Sequence, residues 1–352
     1  MKKGDICLLR SSVKIEGVGY PALFDNNTGK VVFSGFIIRF RPNFSLWNSR
    51  FLTYAMCSDF IRKNVIAFAS VSANTNINQE SLKKISVPCP SLIEQQKIAS
   101  ILSNVDELIQ KIEQIIEQTQ RLKKGLMQRL LTKGIRHTKF KKETISFSLF
   151  KKEIPYTWNI LKLNQLCKVV RGGSPRSAGD PKYFGGKIPW ITVGDLTKDD
   201  QMYLNLVEKG LTEEGKDKSR YLKKGVVVLA NSDATLGVPK ILNIAGCIND
   251  GVAAFLDLKK ELQPEYLYYI LFSWIHKFRN INQGMGQPNL NTEIIGNLYI
   301  PVPPINEQKQ IILFISNIDL KIQKELFFYN QIERIKKGLM QQLLTGKIRV
   351  KI

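Results

Sequence analysis

PCPSLIEQQKIASILSNVDELIQKIEQIIEQTQRLKKGLMQRLLTKGIR, residues 88–136, decides the fold, because the chain repeats it as PVPPINEQKQIILFISNIDLKIQKELFFYNQIERIKKGLMQQLLTGKIR at residues 301–349. The two segments align without a gap, with residue 88 on residue 301. The matches include Asp106 with Asp319 and a shared Lys-Lys-Gly-Leu-Met-Gln hexapeptide near each end. An internal repeat of this length predicts two copies of one structural unit.

Apolar residues recur in steps of three and four along both copies, which is the period of one face of an α-helix. The stripes are Ile98, Leu102, Val105, Ile109, Ile112 and Ile116 in the first copy and Ile311, Ile315, Ile318, Ile322 and Leu326 in the second. Burial of one such side chain is worth on the order of 1.5–3 kcal/mol, which an isolated helix does not gain. We therefore expect two helices of about 40 residues, roughly 60 Å long, that pair with each other. The alternative is that each is an ordinary core or oligomer helix.

Both copies carry signals for the ends of a helix. Ser91 followed by Glu94 has the spacing of a capping box at the start of the first helix. Paired lysines near the end of each copy suit the negative end of the helix dipole, and Gly134 and Gly346 follow them as stops. Each helix is therefore expected to begin after a Pro-rich entry and to end at its glycine.

The chain is strongly basic. Its 352 residues are enough for two domains and include 52 lysines and arginines against 30 aspartates and glutamates, a formal net charge of +22. A polyanionic partner, most simply nucleic acid, follows from this excess. An anionic membrane surface is the rival, but no apolar run is long enough to span a bilayer and the N-terminus lacks an apolar signal core. We expect a nucleic-acid partner, no membrane and cytoplasmic localisation.

Cysteine and histidine usage argues against disulfides and against metal chemistry. The five cysteines show no Cys-x-x-Cys spacing, so a reducing cytoplasm fits them better than a disulfide framework. Only His137 and His276 are present, which leaves little material for a zinc site or for histidine-based catalysis. We interpret each histidine as a solvated or packed residue and expect no metal site in this chain.

Each helix follows a domain-sized stretch, so the repeat unit is a globular domain plus a helix. We divide the chain into a partial first domain (1–87), a first helix (88–135), a basic linker (136–152), a second domain (153–300) and a second helix with the C-terminal tail (301–352). The Lys-Lys-Gly tripeptide at residues 2–4 recurs at residues 223–225, and Gly35 matches Gly251. Residues 153–222 have no counterpart in the first half, so we expect the first domain to lack its N-terminal part and to leave an open sheet edge.

Short apolar runs between polar turns predict strands in the first domain. The expected strands are Ile6–Leu9, Val31–Phe33, Phe36–Ile38 and Lys84–Pro88, and the expected helix is Trp47–Arg62. This mixture of strands and helices predicts α/β (α+β) domains, separated by the two long helices.

The chain resembles the specificity subunit of type I restriction–modification systems over essentially its whole length. The resemblance is carried by the Pro-x-Pro entry followed by Glu-Gln at both helix starts, by the matched aspartates, and by Lys-Lys-Gly-Leu-Met-Gln with Leu-Leu-Thr at both helix ends. The Gly-Gly-Ser-Pro turn at residues 172–175 and Ile-Pro-Trp-Ile at residues 188–191 are similar to the early part of a target-recognition domain. Because these motifs occur twice at matched positions, they are a specific signal of the resemblance.

The resemblance implies two target-recognition domains separated by two antiparallel coiled-coil helices, with a pseudo-twofold internal repeat. Each domain would read one half of a split site in double-stranded DNA. The helices would set the length of the DNA spacer between the two half-sites. They would also bind two methyltransferase subunits, on which restriction–translocase subunits would dock. The chain itself would be non-catalytic and would bind no cofactor, with S-adenosylmethionine, ATP and Mg held by the partner subunits.

Candidate DNA contacts are side chains that can bind phosphates, which supplies affinity, or base edges, which supplies specificity. They are Arg171, Ser174, Arg176 and Lys182 on a Gly/Pro-rich loop; Asn231, Ser232 and Asp233 after one strand, matched by Arg10, Ser11 and Ser12 after another; and Gln283, Gln287 and Asn289, matched by the loop of Asn74 and Asn76. Arginine can read guanine through two hydrogen bonds, and asparagine or glutamine can read adenine. Ordinary turn chemistry is the alternative for each residue. Trp158 and Trp190 are interpreted as core residues.

Two other functions are weighed against this one. A metal nuclease would use Glu214 and Lys216 with Asp199 or Asp200, but such acid-x-lysine triplets arise by chance in a chain that is 23% charged. No methyltransferase motif of the Asn/Asp-Pro-Pro-Tyr/Phe type is present, which suits a subunit that recruits methylation. The remaining alternative is a scaffold or inhibitor of the methyltransferase complex, in which an incomplete first domain no longer reads DNA.

Overall fold

The computed structural model describes residues 1–26, 31–148, 151–231, 236–280 and 290–351. Its contacts divide the chain into two compact units, which we call unit 1 (residues 1–118 with 322–352) and unit 2 (residues 119–321). Both long helices are therefore shared, because each has its first part in one unit and its second part in the other. Among the described residues, none of the helices combines the length and hydropathy that a membrane span requires.

Unit 1 contains a small mixed domain, the first part of the first long helix and the second part of the second long helix. Its elements are β1 (Ile6–Leu9), β2 (Ser11–Ser12), a 3-10 turn (Ile15–Gly17), β3 (Pro21–Leu23), β4 (Ile37–Phe40), α1 (Ser49–Cys57), α2 (Asp59–Ala67), β5 (Ser70–Val71), β6 (Thr75–Asn76), α3 (Gln79–Lys83) and α4 (Leu92–Lys133). The strands form an antiparallel β3-β1-β4 sheet and a small β2-β6-β5 sheet. One face of the larger sheet, with Ile6, Leu8 and Ile38, packs on α1 and α2 through Leu52 and Val65.

Unit 2 is larger and contains the second long helix from its beginning. Its elements are β7 (Phe140–Glu143), β8 (Lys152–Pro155), β9 (Asn159–Lys162), α5 (Leu163–Leu166), β10 (Lys168–Arg171), β11 (Phe184–Ile191), α6 (Val193–Thr197), β12 (Tyr203–Leu204), β13 (Gly210–Leu211), α7 (Glu213–Asp217), β14 (Arg220–Leu222), β15 (Val227–Ala230), β16 (Pro239–Leu242), β17 (Gly246–Ile248), β18 (Val252–Leu256), α8 (Pro264–Ser273), α9 (Ile275–Asn280), α10 (Thr292–Gly296), β19 (Tyr299–Val302) and α11 (Ile305–Leu343). Its main sheet has the order β10-β18-β15-β16-β12, and a second sheet has the order β13-β11-β17-β14.

The main sheet of unit 2 is buried on both faces. Val227, Leu229 and Phe255 face a core that includes α8 and the start of α11. Val228 and Ala254, on the opposite face, contact a second core built largely from residues 170–222. Because both faces of this sheet are covered, its central strands are almost continuously apolar in sequence.

The three central strands of unit 2 repeat the sheet of unit 1. The order β16-β15-β18 corresponds to β3-β1-β4, and both triplets are antiparallel. The registers agree, because Ile6 lies opposite Phe40 in unit 1 and Val227 lies opposite Phe255 in unit 2. The flanking strands β10 and β12 come from the stretch that the sequence comparison left without a counterpart in the first half.

The long helices pair antiparallel within each unit. In unit 1, Ile98 and Leu102 of α4 share a core with Leu343 of α11, and Lys336 Nζ lies 2.7 Å from Asp106 Oδ1. In unit 2, Lys123 Nζ of α4 lies 2.5 Å from Asp319 Oδ1 of α11. Residues later in α4 contact residues earlier in α11, so the predicted antiparallel pairing is confirmed in both units.

Most predicted stripe residues lie in this seam. Ile98, Leu102, Ile109, Ile112, Ile311 and Ile315 are buried, and Val105, Ile116, Ile318 and Ile322 are half-buried. Leu326 departs from the prediction, since 43% of its surface is exposed. The seam passes instead through half-buried Glu325, three residues after Ile322, and continues to Tyr329.

Four local predictions need correction. Val31–Phe33 is not a strand, and its last two residues are exposed. Lys84–Pro88 is irregular because its counterpart, β19, is a strand only by pairing with β9, which the first half does not have. The region 136–152, expected to be an unpatterned linker, contains β7, which pairs with β8. The predicted helix Trp47–Arg62 is two helices, α1 and α2, divided at Ser58.

The helix seam yields a stability prediction. Leu102→Ala removes a fully buried side chain and should lower the free energy of unfolding by about 2–5 kcal/mol. Leu108→Ala on the same helix is the matched control, since Leu108 is 43% exposed, and it should change stability by less than about 1 kcal/mol. Urea unfolding followed by circular dichroism measures both. Equal effects from the two variants would contradict the seam.

Candidate nucleic-acid interface

In each unit a buried glutamine of a long helix fixes the start of a shorter helix, α1 in unit 1 and α8 in unit 2. Gln95 accepts a hydrogen bond from Asn48 N–H at 2.8 Å and donates to Leu46 O and Pro90 O, both at 2.9 Å. Since Asn48 caps α1, this one amide holds the start of α1 against the start of α4. Gln95 is completely buried, so its three hydrogen bonds replace those that water would have made.

Gln308 repeats this arrangement in unit 2. It accepts from Gln263 N–H at 2.9 Å and donates to Glu261 O at 2.7 Å and Pro303 O at 2.9 Å. Gln263 is the N-cap of α8, as Asn48 is the N-cap of α1. The repeated Glu-Gln motif therefore has a structural role that sequence reasoning did not assign. The signal for it was the recurrence of the motif immediately after both Pro-x-Pro entries.

The glutamate of the motif makes different contacts in the two units. Glu94 is buried and binds the Arg349 guanidinium through both oxygens at 2.7 and 2.6 Å, which lowers the pKa of its carboxyl group. Ser91 Oγ accepts from Glu94 N–H at 3.3 Å, so one half of the predicted capping box forms while the carboxylate serves the ion pair. Glu307 instead accepts from Trp158 Nε1 at 2.9 Å and from Ile135 N–H at 2.9 Å.

A tyrosine, an aspartate and a lysine link α1 in unit 1, and α8 in unit 2, to the paired long helices. In unit 1, Tyr54 of α1 donates to Asp106 at 2.6 Å, and Asp106 also pairs with Lys336. Burial, together with this hydrogen bond, raises the pKa of Tyr54 to about 12. In unit 2, Tyr269 of α8 donates to Asp319 at 3.0 Å, and burial raises the pKa of Tyr269. The matched aspartates thus join α1 or α8 to both long helices.

On this framework, the predicted Gly-Gly-Ser-Pro loop of unit 2 lies against the turn before β18. Gly172 N–H donates to Val252 O at 2.9 Å, and a Cβ on Gly172 would lie 2.1 Å from Asn249 O, so only glycine fits there. Ser174 Oγ donates to Asp250 Oδ1 at 2.6 Å. The Nε of Arg171 donates to Asp250 O, while the rest of this side chain is exposed. The loop is therefore held rigidly with its arginine at the surface.

The other loop candidates lie outside this turn. Arg176 is exposed, and exposed Lys182 lies 3.5 Å from Glu214 and above the ring of Tyr183. Arg220 Nε donates to Arg171 O at 2.8 Å, which brings a second exposed guanidinium to the end of β10. Sequence reasoning missed Arg220, because only the antiparallel pairing of β14 with β17 brings it there.

Asn231 is placed differently from Arg171. Its side chain is fully buried, and neither its amide nitrogen nor its oxygen has a hydrogen-bond partner in the described structure. Its backbone N–H donates to Gly251 O at 3.0 Å, and its carbonyl accepts from Leu290 N–H at 2.9 Å. Asn231 thus lies beneath the turn that holds Arg171. Ser232, Asp233, Gln283, Gln287 and Asn289 lie outside the described residues.

The candidates of unit 1 come together at the matching sheet end. Arg10 N–H donates to Phe36 O at 2.8 Å, and Arg10 O accepts from Ile77 N–H at 3.0 Å, which repeats the backbone bonds of Asn231. The structural counterpart of Gly251 is therefore Phe36, one residue beyond the Gly35 that sequence comparison matched. Ser11 and Ser12 form β2 and pair with β6, in which Asn76 Nδ2 donates to Asn74 O at 3.0 Å.

The side chain of Arg10 contacts the turn in unit 1 as the side chain of Arg171 does in unit 2. Its Nη1 donates to Gly35 O at 3.4 Å, and Gly35 precedes Phe36 as Asp250 precedes Gly251. In both units an exposed arginine therefore contacts the carbonyl of the same turn position. Arg10 follows β1, whereas Arg171 is the last residue of β10, which has no counterpart in unit 1. Comparison of the two halves of the sequence therefore does not match the two arginines.

The nuclease hypothesis finds no support in the arrangement of the acidic residues. Asp199 binds Lys240, whose buried ammonium lies 2.6 Å from its Oδ1, and Glu214 lies near Lys182. No group of three or more His, Cys, Asp or Glu side chains suited to a metal ion occurs in the described parts of the chain. Trp158 and Trp190 are buried core residues, as predicted, and His137 contacts Glu307 at 2.7 Å.

Comparison with known proteins agrees with this architecture. Residues 1–121 and 155–334 match the protein family described as "Type I restriction modification DNA specificity domain". The chain belongs to this family. The match favours the DNA-reading hypothesis over the scaffold or inhibitor alternative.

Relatives in this family include two specificity subunits from Methanocaldococcus jannaschii. The type I restriction enzyme MjaX specificity subunit is 30% identical over 345 residues, which is 96% of this chain and 76% of that protein. The MjaVIII specificity subunit is 32% identical over 78% of this chain. The aligned region spans 65% of the MjaVIII protein, somewhat less than two thirds of its length.

Solved structures show the same fold. A chain from a type I R-M system, solved in work on complex assembly and conformational transition, superposes with a TM-score of 0.64 at 17% identity, covering 99% of this chain and 83% of that one. The S subunit of a type I restriction–modification system from M. genitalium gives a TM-score of 0.61 at 16% identity, with 98% and 83% covered. At such identities the likeness supports the fold alone.

The glutamine anchors yield a second prediction. Gln95→Ala leaves Asn48 N–H and the Leu46 carbonyl unpaired in a buried site, so the free energy of unfolding should fall by about 2–4 kcal/mol. The neighbouring Gln96 is exposed, and Gln96→Ala should change it by less than about 0.5 kcal/mol. Hydrogen exchange of the Asn48 amide should accelerate only in Gln95→Ala. Unchanged exchange there would show that the anchor is not needed.

Proposed function

We propose that this specificity-family chain is the DNA-reading subunit of a type I restriction–modification complex and that it recognises a bipartite site in double-stranded DNA. It contributes no catalytic group. Methyltransferase subunits, two per chain, and restriction–translocase subunits would supply the chemistry, together with S-adenosylmethionine, ATP and Mg. In this proposal unit 1 and unit 2 each read one half of the site.

One observation carries the proposal: the same sheet end presents an exposed arginine in both units. Arg10 and Arg171 each contact a turn carbonyl with one nitrogen, which fixes the guanidinium while leaving other N–H groups for a ligand. A guanidinium with two free N–H donors can bind guanine O6 and N7 or a phosphate. With a net charge of +22, the chain also has the electrostatic attraction that DNA binding requires.

The duplication supports recognition of two half-sites rather than one continuous site. The sheet ends rest on equivalent anchors, Gln95 with Tyr54 in unit 1 and Gln308 with Tyr269 in unit 2. The residues at the sheet ends nevertheless differ, since Arg10 follows β1 whereas Asn231 follows β15. Equivalent frameworks with different surface residues are expected if the two half-sites have different sequences.

Methylation mapping tests this proposal. Arg171→Ala should change one half of the methylated motif, and Arg10→Ala should change only the other half, so each variant is the control for the other. The expected discrimination lost at one base pair is about 1–3 kcal/mol, or roughly 5- to 150-fold in preference. Sequencing of methylated DNA from cells carrying each variant with its methyltransferase measures the motif. A change in both halves, or in neither, would refute the half-site assignment.

Exposed apolar residues on the long helices support docking of a protein partner. In unit 1, Phe327 and Phe328 are 61% and 53% exposed, and in unit 2 Leu313 and Phe314 are 59% and 53% exposed. Such side chains on an otherwise charged helix mark a protein contact. The methyltransferase subunits are the partners we propose for them.

A single helix position tests this docking. Phe328→Ser should weaken binding of the methyltransferase subunit at least about 10-fold without changing the melting temperature, because the side chain is not part of the seam. Gln331→Ser, at an exposed position of the same helix, should leave binding unchanged. Isothermal titration calorimetry gives both affinities. If Phe328→Ser binds as tightly as Gln331→Ser, this face of the helix is not the docking surface.

A further inference from the structure

The outer edge of β4 in unit 1 has no strand beside it. Its counterpart in unit 2, β18, is covered on that side by β10, with Val170 opposite Ala254. No strand in the described part of the chain pairs with β4 except β1 on its inner side. An unpaired edge presents a row of backbone donors and acceptors on which another extended chain can add.

The alternation of the β1–β4 pairing shows which groups face outward. Arg10 N–H donates to Phe36 O, so hydrogen-bonded pairs with β1 fall at every second residue from Phe36. The N–H and C=O of Arg39 therefore point away from β1. The same alternation holds in unit 2, where Val252 O accepts from Gly172 N–H. Arg39 is the counterpart of Ala254, the residue opposite Val170.

Apolar side chains around this edge are exposed in unit 1, and the counterpart of one of them is buried in unit 2. Phe40 is 39% exposed, whereas its counterpart Phe255 is 1% exposed. The segment leading into β4 adds Val32, which is 90% exposed, and Phe36, which is 67% exposed. Clusters of exposed aromatic and branched side chains next to an open strand are typical of interaction surfaces.

The charge at this edge selects among possible partners. Arg39 replaces buried Ala254 and has no carboxylate partner among the described residues; its guanidinium lies 6.0 Å from the ring centroid of Phe33. The next outward residue, Arg41, is already paired with Asp5 at 2.6 Å, and this hydrogen bond lowers the pKa of Asp5 to about 2. The charge of Arg39 also helps to lower the pKa of Asp5, but Arg39 is exposed and forms no ion pair with a carboxylate of the described residues, so its guanidinium can bind one.

We propose that the outer edge of β4 binds an extended segment of a partner protein, which adds antiparallel as β10 does in unit 2 and places an acidic side chain opposite Arg39. Apolar residues on either side of this acid would cover the exposed rings near β4. Like charges directly opposite each other destabilise a pair of strands, so Arg39 disfavours both a second copy of this edge and a basic strand.

The test uses a tethered probe strand, because tethering gives a weak strand an effective concentration in the millimolar range. A copy of residues 164–174 with Cys167→Ser is joined ahead of Met1 of the full chain through a flexible linker of about 15 residues. Three versions of the probe carry Val170→Glu, Val170→Lys or Val170→Pro at the position opposite Arg39. Hydrogen exchange of residues 36–41 is then measured by mass spectrometry.

The expected result is slower exchange of the Arg39 amide, by at least about 10-fold, with the Glu probe than with the Pro probe, and little protection with the Lys probe. In the Arg39→Glu chain the preference should reverse to the Lys probe. Equal exchange with all three probes would overturn the proposal. So would protection that rises with chain concentration in the absence of a probe, which would indicate a second copy, or protection that only duplex DNA produces.

Discussion

The structure depends on the antiparallel packing of two amphipathic helices that neither copy of the repeat can satisfy alone. The start of α4 is buried against the end of α11 in unit 1, and the end of α4 against the start of α11 in unit 2. Each unit is therefore completed by a helix from the opposite half of the sequence. A buried glutamine and a tyrosine–aspartate–lysine link then attach one shorter helix to each pair, α1 through Gln95 and Tyr54 or α8 through Gln308 and Tyr269.

This dependence explains how one repeat can hold two different surfaces. The anchoring glutamines recur because they make the same hydrogen bonds to backbone groups, which do not depend on the surrounding side chains. The surface residues are free to differ, and unit 1 reaches its turn carbonyl with Arg10 where unit 2 uses Arg171. A fixed framework with variable side chains at the sheet ends is the organisation that a sequence-reading protein needs.

Periodicity and duplication made the helices, their pairing and the repeated sheet predictable. Burial of Ile98 and Ile315 and the stops at Gly134 and Gly346 follow from patterns within one segment. Contacts between segments that are distant in sequence could not be predicted from such patterns. Residues 84–88 look like a strand but lack the partner that makes β19 one, and Asn231 looks like a surface residue but is buried beneath a turn whose position depends on β18. The base contacts themselves stay predictions.

Disulfide trapping tests the central claim, antiparallel pairing of the long helices, most directly. Leu102 and Leu343 share one core in unit 1, so a chain with its native cysteines replaced and carrying Leu102→Cys and Leu343→Cys should form an intramolecular disulfide under mild oxidation. Leu102→Cys with Gln341→Cys is the control, because Gln341 lies two residues before Leu343 on α11 but is exposed and outside this core. We expect rapid cross-linking of the first pair, with the mass of a single chain, and none of the second. No cross-link in the first pair, or equal rates in both, would contradict the pairing.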